Sequence, residues 1–181
     1  MNNNRLKKIK FNISIILSLY MHVPWRRVHS WHCSACGTCC RYYKPRLTAY
    51  EYLKLRYTGF VEEKNGKFYI RKINGLCPFQ YGNLCLLQNE KPSACRLFPF
   101  VIRKKGDESA YFEYDNEEYY VYVDTFCPNV KLKNDLKPSK QIIPLVIEAI
   151  KIYRGEFRGV NLLTSQGIQE LQQPHRRFLM V

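Results

Sequence analysis

The sequence lacks the short motifs by which several large enzyme classes are detected. None of the patterns GxGxxG, GxxxxGK[ST], HExxH and GxSxG occurs in its 181 residues. These patterns mark dinucleotide sites, triphosphate sites, metalloproteases and serine hydrolases, respectively. The sequence therefore supports none of these activities. Whether the chain is an enzyme stays open, because no catalytic motif is recognised.

Long apolar runs are also absent. Residues 1–10 are basic and residues 11–21 are mostly apolar, but Asn12, Ser14 and Ser18 interrupt the apolar stretch. It is too short for a membrane span, which needs roughly 20 apolar residues. No small-x-small cleavage site precedes His22. We therefore expect no transmembrane span, a cytoplasmic location and a true start at Met21.

Length and composition indicate one globular domain. The chain has 46% apolar and 24% charged residues, which is ordinary globular usage. We expect an N-terminal basic and apolar segment, residues 1–30, that need not belong to the fold. A cysteine-cluster metal-binding domain then covers residues 31–130. A C-terminal helical segment, residues 131–181, packs on it.

Local patterns predict helices near residues 49 and 139. Thr48 and Glu51 have the spacing of a capping box, which predicts a helix from Ala49 to Tyr57. Tyr50, Leu53 and Tyr57 would form its inward face. A second helix is expected from Ser139 to Arg154, with apolar residues along one face and Gly155 at its end. Its inward face would comprise Ile142, Val146, Ala149, Ile150 and Tyr153.

The strand patterns complete a small α+β domain with β-hairpins and a few helices. Asn65-Gly66 separates two strand-like segments, residues 60–64 and 67–73, and favours a type I′ hairpin turn. Segments 97–104, 110–114 and 119–124 have strand propensity, and a three-strand meander is their simplest arrangement.

The eight cysteines are the strongest feature of the sequence. A two-residue gap between cysteines lets two thiolates turn back on one ion, and Gly37 supplies the flexibility that such a turn needs. Cys39 and Cys40 are adjacent, so their side chains tend to diverge, which suggests that they serve two centres. The cysteines lie at Cys33, Cys36, Cys39, Cys40, Cys77, Cys85, Cys95 and Cys127.

Eight thiols are compatible with several frameworks. They suit two zinc sites of four thiolates each, two iron–sulfur clusters, or one cluster with the remaining cysteines structural. Four disulfides are a further alternative, but clustered cysteines in the cytosol more often bind metal. The C-x2-C-x2-C run also differs from a bacterial ferredoxin, since Cys40 follows Cys39 directly and precedes Arg41. Spacing alone does not choose between zinc and iron–sulfur.

Several segments together resemble a known family. They are HCSACGTCCR at residues 32–41, CPF at 77–79, KPSACRLFPF at 91–100 and CP at 127–128. These elements are similar to the CxxCxxCC cysteine-cluster family, also called YkgJ-like, which is described as chelating zinc or iron. A related domain occurs in flagellin lysine N-methylases that carry an iron–sulfur cluster.

The resemblance implies that the eight cysteines are metal ligands. It also implies that Arg96 contacts their sulfurs without binding the metal itself. An arginine there would offset thiolate charge and donate hydrogen bonds to sulfur. The resemblance also implies zinc or an iron–sulfur cluster as the cofactor, with a redox or cofactor-related role if the metal is redox-active. Relatives commonly have Tyr-x-x-Arg-Pro before the CRxFPF element, whereas this chain has Lys91-Pro92.

Charge supplies an alternative function. The chain carries 29 Lys and Arg against 15 Asp and Glu, a net charge of +14, which attracts an anionic partner without identifying it. Basic and aromatic residues alternate in segments 25–27, 41–44 and 176–178, as in proteins that bind phosphates and stack on bases. The alternative is a zinc-stapled nucleic-acid-binding module. His29 and His32 precede the first cysteine, but eight thiols make them unnecessary as ligands.

Overall fold

The computed structural model describes residues 22–87 and 90–156, which form short helices and strands around two hydrophobic clusters. The helices are α1 (Thr38–Tyr42), α2 (Ala49–Leu55), α3 (Ser93–Leu97) and α4 (Ile143–Arg154). The strands are β1 (His22–Pro24), β2 (Val28–Ser30), β3 (Arg46–Leu47), β4 (Val61–Lys64), β5 (Lys67–Ile70), β6 (Gln80–Tyr81), β7 (Leu84–Cys85), β8 (Phe100–Arg103), β9 (Tyr111–Tyr114), β10 (Glu117–Asp124) and β11 (Lys131–Leu132). The predicted α+β class is confirmed.

Strand β10 organises the largest sheet. It pairs antiparallel with β8, with β9 and with β1, so that Tyr120 lies opposite both Arg103 and Tyr111. The predicted three-strand meander is wrong, because β8 pairs with β10 rather than with β9. The connection between β8 and β9 is not a tight turn. It crosses β10, where the backbone N–H of Asp107 donates to the Tyr122 hydroxyl at 2.8 Å.

Helix α4 covers this sheet and completes the larger cluster. Val146 and Ile150 from α4 pack with Val121 and Val123 from β10, and all four are fully buried. The helix begins at Ile143, later than predicted, because Pro144 sets φ for a first helical turn and has no N–H to donate. It ends at Gly155, as predicted, with a positive φ of 75°.

Residues 22–30 contribute to the same cluster. Trp25 and Val28 are buried in it, and Trp25 donates through its indole N–H to the carbonyl of Tyr111. Strand β2 pairs with β11, and all eight cysteines lie between these two strands in the sequence. The division of the chain at residues 30 and 130 stays a prediction.

A smaller cluster lies between α2 and the sheet β3-β5-β4. Its four buried residues are Leu47, Leu55, Ile70 and Phe79. The hairpin of β4 and β5 has the predicted turn, since Asn65 and Gly66 both have positive φ, 52° and 67°. The two-residue turn therefore sets the register of this hairpin.

Helix α2 has the predicted capping box but presents a different face. Thr48 Oγ1 accepts from the N–H of Glu51, and Glu51 accepts from the N–H of Thr48. Tyr50, Leu53 and Tyr57 are 73%, 55% and 83% exposed, so the predicted inward face is wrong.

The buried face of α2 contains Tyr52 and Leu55. Leu55 is 3% exposed, and the Tyr52 ring stacks on Phe68 with 4.3 Å between the ring centroids. The helix ends at Leu55 and continues as a 3-10 turn over Arg56–Thr58, which changes the periodicity before Tyr57. In α4, Tyr153 is also more exposed than predicted.

Two predicted features lie outside the described residues. They are the basic and apolar stretch before His22, with the start at Met21, and the basic segment at residues 176–178. Among the helices that the structure does describe, none combines the length and apolar character needed to cross a bilayer.

Two leucines of α2 provide a matched test of its buried face. We expect Leu55→Ala to lower the free energy of unfolding by about 2–5 kcal/mol, since it opens a cavity in the smaller cluster. Leu53→Ala should change it by less than about 1 kcal/mol, because Leu53 is exposed. Chemical denaturation of both variants under one set of metal conditions measures the difference. Equal losses would contradict the observed orientation of α2.

Candidate metal centre

All eight cysteines line a single cavity of about 90 Å³. All of them lie in the described part of the chain, and none forms a disulfide there. The cavity is several times larger than the space that one ordered water occupies. The cysteines in its lining lie up to 94 residues apart in the chain, from Cys33 to Cys127. The fold therefore gathers the whole predicted ligand set in one place.

Short elements deliver these thiols to the cavity. Cys33 and Cys36 lie in the loop before α1, and α1 itself carries Cys39 and Cys40. The other four come from the chain before β6, from β7, from α3 and from the turn after β10. They are Cys77, Cys85, Cys95 and Cys127.

Gly37 allows the cysteine loop to approach the β6–β7 hairpin closely. Its φ is +73°, in the left-handed region that favours glycine. A Cβ at this position would lie 2.8 Å from Nε2 of Gln80 and 3.2 Å from Oδ1 of Asn83. A larger residue would therefore be strained and would also push the hairpin away from the loop.

Glu51 links the capping box to the cavity. One carboxylate oxygen accepts from the N–H of Thr48, and the other accepts from the N–H of Ser93 at 2.7 Å. Ser93 is the first residue of α3, which carries Cys95. A single carboxylate thus caps two helices and fixes the helix that presents Cys95. The capping box was predictable, but its second partner lies 42 residues away in sequence.

Burial controls the ionisation of these thiols. It is the main cause that raises the pKa of four of them: Cys33, Cys85, Cys95 and Cys127. In the adjacent pair, the Cys39 thiol donates a hydrogen bond to Cys40, which raises the pKa of Cys39 and lowers that of Cys40. A cluster of thiolates at this site therefore requires positive charge close by.

Hydrogen bonds orient individual sulfurs. The indole N–H of Trp31 donates to the sulfur of buried Cys127 at 3.2 Å and opposes the effect of burial on its pKa. The Cys36 thiol donates to the hydroxyl of Thr38 at 3.2 Å. Such contacts to sulfur hold ligand side chains in place around a metal.

Two lysines line the cavity, and neither was singled out from the sequence. The positive charge of Lys91 favours the thiolate forms of Cys33, Cys39, Cys85 and Cys95 and so acts to lower their pKa. The Lys72 ammonium donates to the carbonyl of Cys40. One sequence feature could have identified Lys91, since it occupies the position where relatives commonly have arginine.

Arg96 also lines the cavity, and two carboxylates act on its charge. Burial lowers the pKa of its guanidinium, and the carboxylates of Glu148 and Glu51 act in the opposite direction. Glu148 is a buried residue of α4, so these charges couple α3 to α4. A role of Arg96 next to the sulfurs stays a prediction.

The remaining candidates lie elsewhere. Within the described chain, His29 and His32 are exposed and do not belong to the cavity lining. Trp25 is buried in the larger cluster, so its ring is not available for stacking on a base.

In the described part of the chain, the cysteines lie around the cavity without forming a compact set of ligands. Among the described residues, no three His, Cys, Asp or Glu side chains are already grouped closely enough to hold one ion. The donor chemistry nevertheless fits zinc and iron–sulfur clusters, because both are held by cysteine thiolates. Binding would draw together sulfurs that already face a common cavity.

Comparison with known proteins gives one match. A family model named CxxCxxCC and described as "Putative zinc- or iron-chelating domain" matches residues 32–128, which is more than half of the chain. The matched range includes all eight cysteines. No curated protein and no solved structure matches the chain.

The charge of Lys91 can be tested directly. We expect Lys91→Gln to weaken zinc or iron binding by about tenfold, because it removes a cation from beside four of the thiols. Lys91→Arg should retain most of the affinity. Competition with a chromophoric chelator measures both variants, and Lys67→Gln, on an exposed part of β5, is the control. Identical affinities for Lys91→Gln and Lys67→Gln would contradict the assignment.

Proposed function

Because the chain belongs to the CxxCxxCC family, whose model is described as a zinc- or iron-chelating domain, we propose that it is a metal-binding protein with these eight cysteines as its ligands. The metal is a thiophilic one, either zinc or iron in an iron–sulfur cluster.

The observation that carries the proposal is the convergence of every cysteine on one cavity. Buried cysteines that act as small hydrophobic residues would be distributed through a core. Here all eight line the same space, although they come from six separate parts of the fold. Selection for packing alone does not account for such a gathering.

The electrostatics support the same conclusion. Several of these thiols have raised pKa values because they are buried, and together they would carry up to eight negative charges as thiolates. Lys91 and Lys72 both line the cavity, but two positive charges cannot balance eight negative ones. Bound divalent or trivalent metal supplies the missing positive charge.

The protein residues would hold and shape the centre in either case. Zinc closed off by four thiolates would tie the elements of the fold together, whereas an iron–sulfur cluster would also accept or donate an electron. Trp31 orients Cys127, Glu51 fixes the helix of Cys95, and Gly37 allows the cysteine loop to approach β6 and β7.

The metal is identified by analysis of the native protein. We expect protein purified without oxygen, from cells supplied with both metals, to contain zinc or iron in amounts that scale with protein. Iron with acid-labile sulfide and a broad visible absorption band would identify an iron–sulfur protein, and zinc without colour would identify a thiolate–zinc protein. A folded protein that contains and takes up neither metal would overturn the proposal.

Ligand substitution provides a second test. We expect Cys39→Ser and Cys95→Ser each to reduce the bound metal and to lower the melting temperature, since metal binding contributes to folding. Metal analysis and circular dichroism measure the two effects. Ser109→Ala, in the 3-10 turn before β9 and outside the cavity lining, serves as the control. Unchanged metal content in both cysteine variants would remove these residues from the ligand set.

A further inference from the structure

A tryptophan that precedes the cysteine motif donates a hydrogen bond to the last cysteine of the chain. The indole nitrogen of Trp31 lies 3.2 Å from the sulfur of Cys127, although 96 positions separate the two residues in sequence. Both side chains are 7% exposed, so little water reaches this contact. An indole has one N–H and no other polar atom, so the only donor of this side chain is committed to the sulfur.

Packing fixes the Trp31 ring in the orientation that this hydrogen bond needs. The ring meets the Phe100 ring edge to face, with 5.5 Å between the centroids and an interplanar angle of 88°. Both rings belong to the larger hydrophobic cluster, and Trp31 also lines the cavity beside Cys127. One side chain therefore contacts both the core and a sulfur of the candidate metal centre.

Two short strands bring Trp31 and Cys127 together. Strand β2 ends directly before Trp31, and β11 begins four residues after Cys127. The two strands pair antiparallel, with Ser30 opposite Lys131. The strand pair thus closes the long segment that contains all eight cysteines, and the hydrogen bond to sulfur lies next to this closure.

These structural elements flank the part of the chain that matches the family. The match covers residues 32–128, so β2 and Trp31 precede it and β11 follows it. The contact between Trp31 and Cys127 therefore joins a residue outside the matched range to a cysteine inside it.

We propose that Trp31 is a positioning residue of the metal centre, which holds the sulfur of Cys127 in place as a ligand through its indole N–H. This inference rests on the proposed function, because it takes Cys127 to bind metal. Cys127 lies 32 residues after Cys95, so the spacing of the motif does not orient its sulfur. Loss of a hydrogen bond to a ligand typically weakens metal binding by about 10- to 100-fold.

The other tryptophan of the chain supplies a matched control. The sequence contains two tryptophans, and Trp25 is buried in the same cluster as Trp31. The Trp25 ring meets Phe112 edge to face at 5.3 Å, and its indole N–H donates to the carbonyl of Tyr111 at 3.2 Å. Trp25 therefore matches Trp31 in burial, ring packing and hydrogen-bond length, but its acceptor is not a sulfur.

Phenylalanine at either position keeps an aromatic ring and removes the N–H. We expect Trp31→Phe to bind zinc or iron about 10- to 100-fold more weakly in competition with a chelator, and Trp25→Phe to bind it as the unmodified protein does. Iodoacetamide labelling of the metal-loaded proteins, with mass mapping, should show a larger gain at Cys127 than at Cys85 in Trp31→Phe alone. Equal metal affinities of the two variants, or equal gains at both cysteines, would overturn the proposal.

A measurement on the unmodified protein does not depend on how well a variant folds. Its proton–nitrogen NMR spectrum contains two indole signals, one for each tryptophan, and the spectrum of Trp25→Phe assigns them. When the protein is loaded with zinc and then with cadmium, we expect the Trp31 signal to shift more than the Trp25 signal, because the Trp31 N–H donates to a sulfur. Equal shifts, or a Trp31 signal that does not move, would contradict the positioning role. Unmodified protein that contains and takes up no zinc or iron would instead contradict the proposed function itself.

Discussion

The rest of this structure depends on the convergence of eight cysteines on one cavity where two hydrophobic clusters meet. The smaller cluster has four buried residues, Leu47, Leu55, Ile70 and Phe79, which is little apolar surface to hold a helix and a three-stranded sheet in place. Burial raises the pKa of Cys33 and Cys95 although Lys91 acts in the opposite direction, so these thiols resist ionisation. Metal binding and folding are therefore coupled in the proposed function, since bound metal both neutralises the thiolates and joins the clusters.

Features that look local along the chain act on this shared cavity. Glu51 completes a capping box on α2 and also caps α3, so one carboxylate relates the smaller cluster to the helix of Cys95. Gly37 provides a left-handed turn and also the close approach to Gln80 and Asn83. Arg96 and Glu148 extend the connection to α4, where the larger cluster is packed. A few polar residues, each with more than one partner, thus connect the rest of the fold to the cysteines.

Sequence patterns predicted the elements well where short-range interactions determine them. The capping box at Thr48, the Asn65-Gly66 hairpin and the end of α4 at Gly155 are all present. Predictions were wrong where packing determines the outcome. The Tyr50, Leu53 and Tyr57 face is exposed because α2 ends early and packs through Tyr52 and Leu55. Strand β8 pairs with β10 because the chain between β8 and β9 crosses the sheet.

The sequence by itself determined the thiol chemistry and the family, since thiol side chains and their spacing are written in the order of residues. Tertiary structure alone decided which thiols are neighbours, and it brought Lys91 to the sulfurs and Glu51 to Ser93. The reason is that these contacts join residues far apart in the chain. Their positions follow from strand pairing and from two separate cores, and local spacing does not encode either of these.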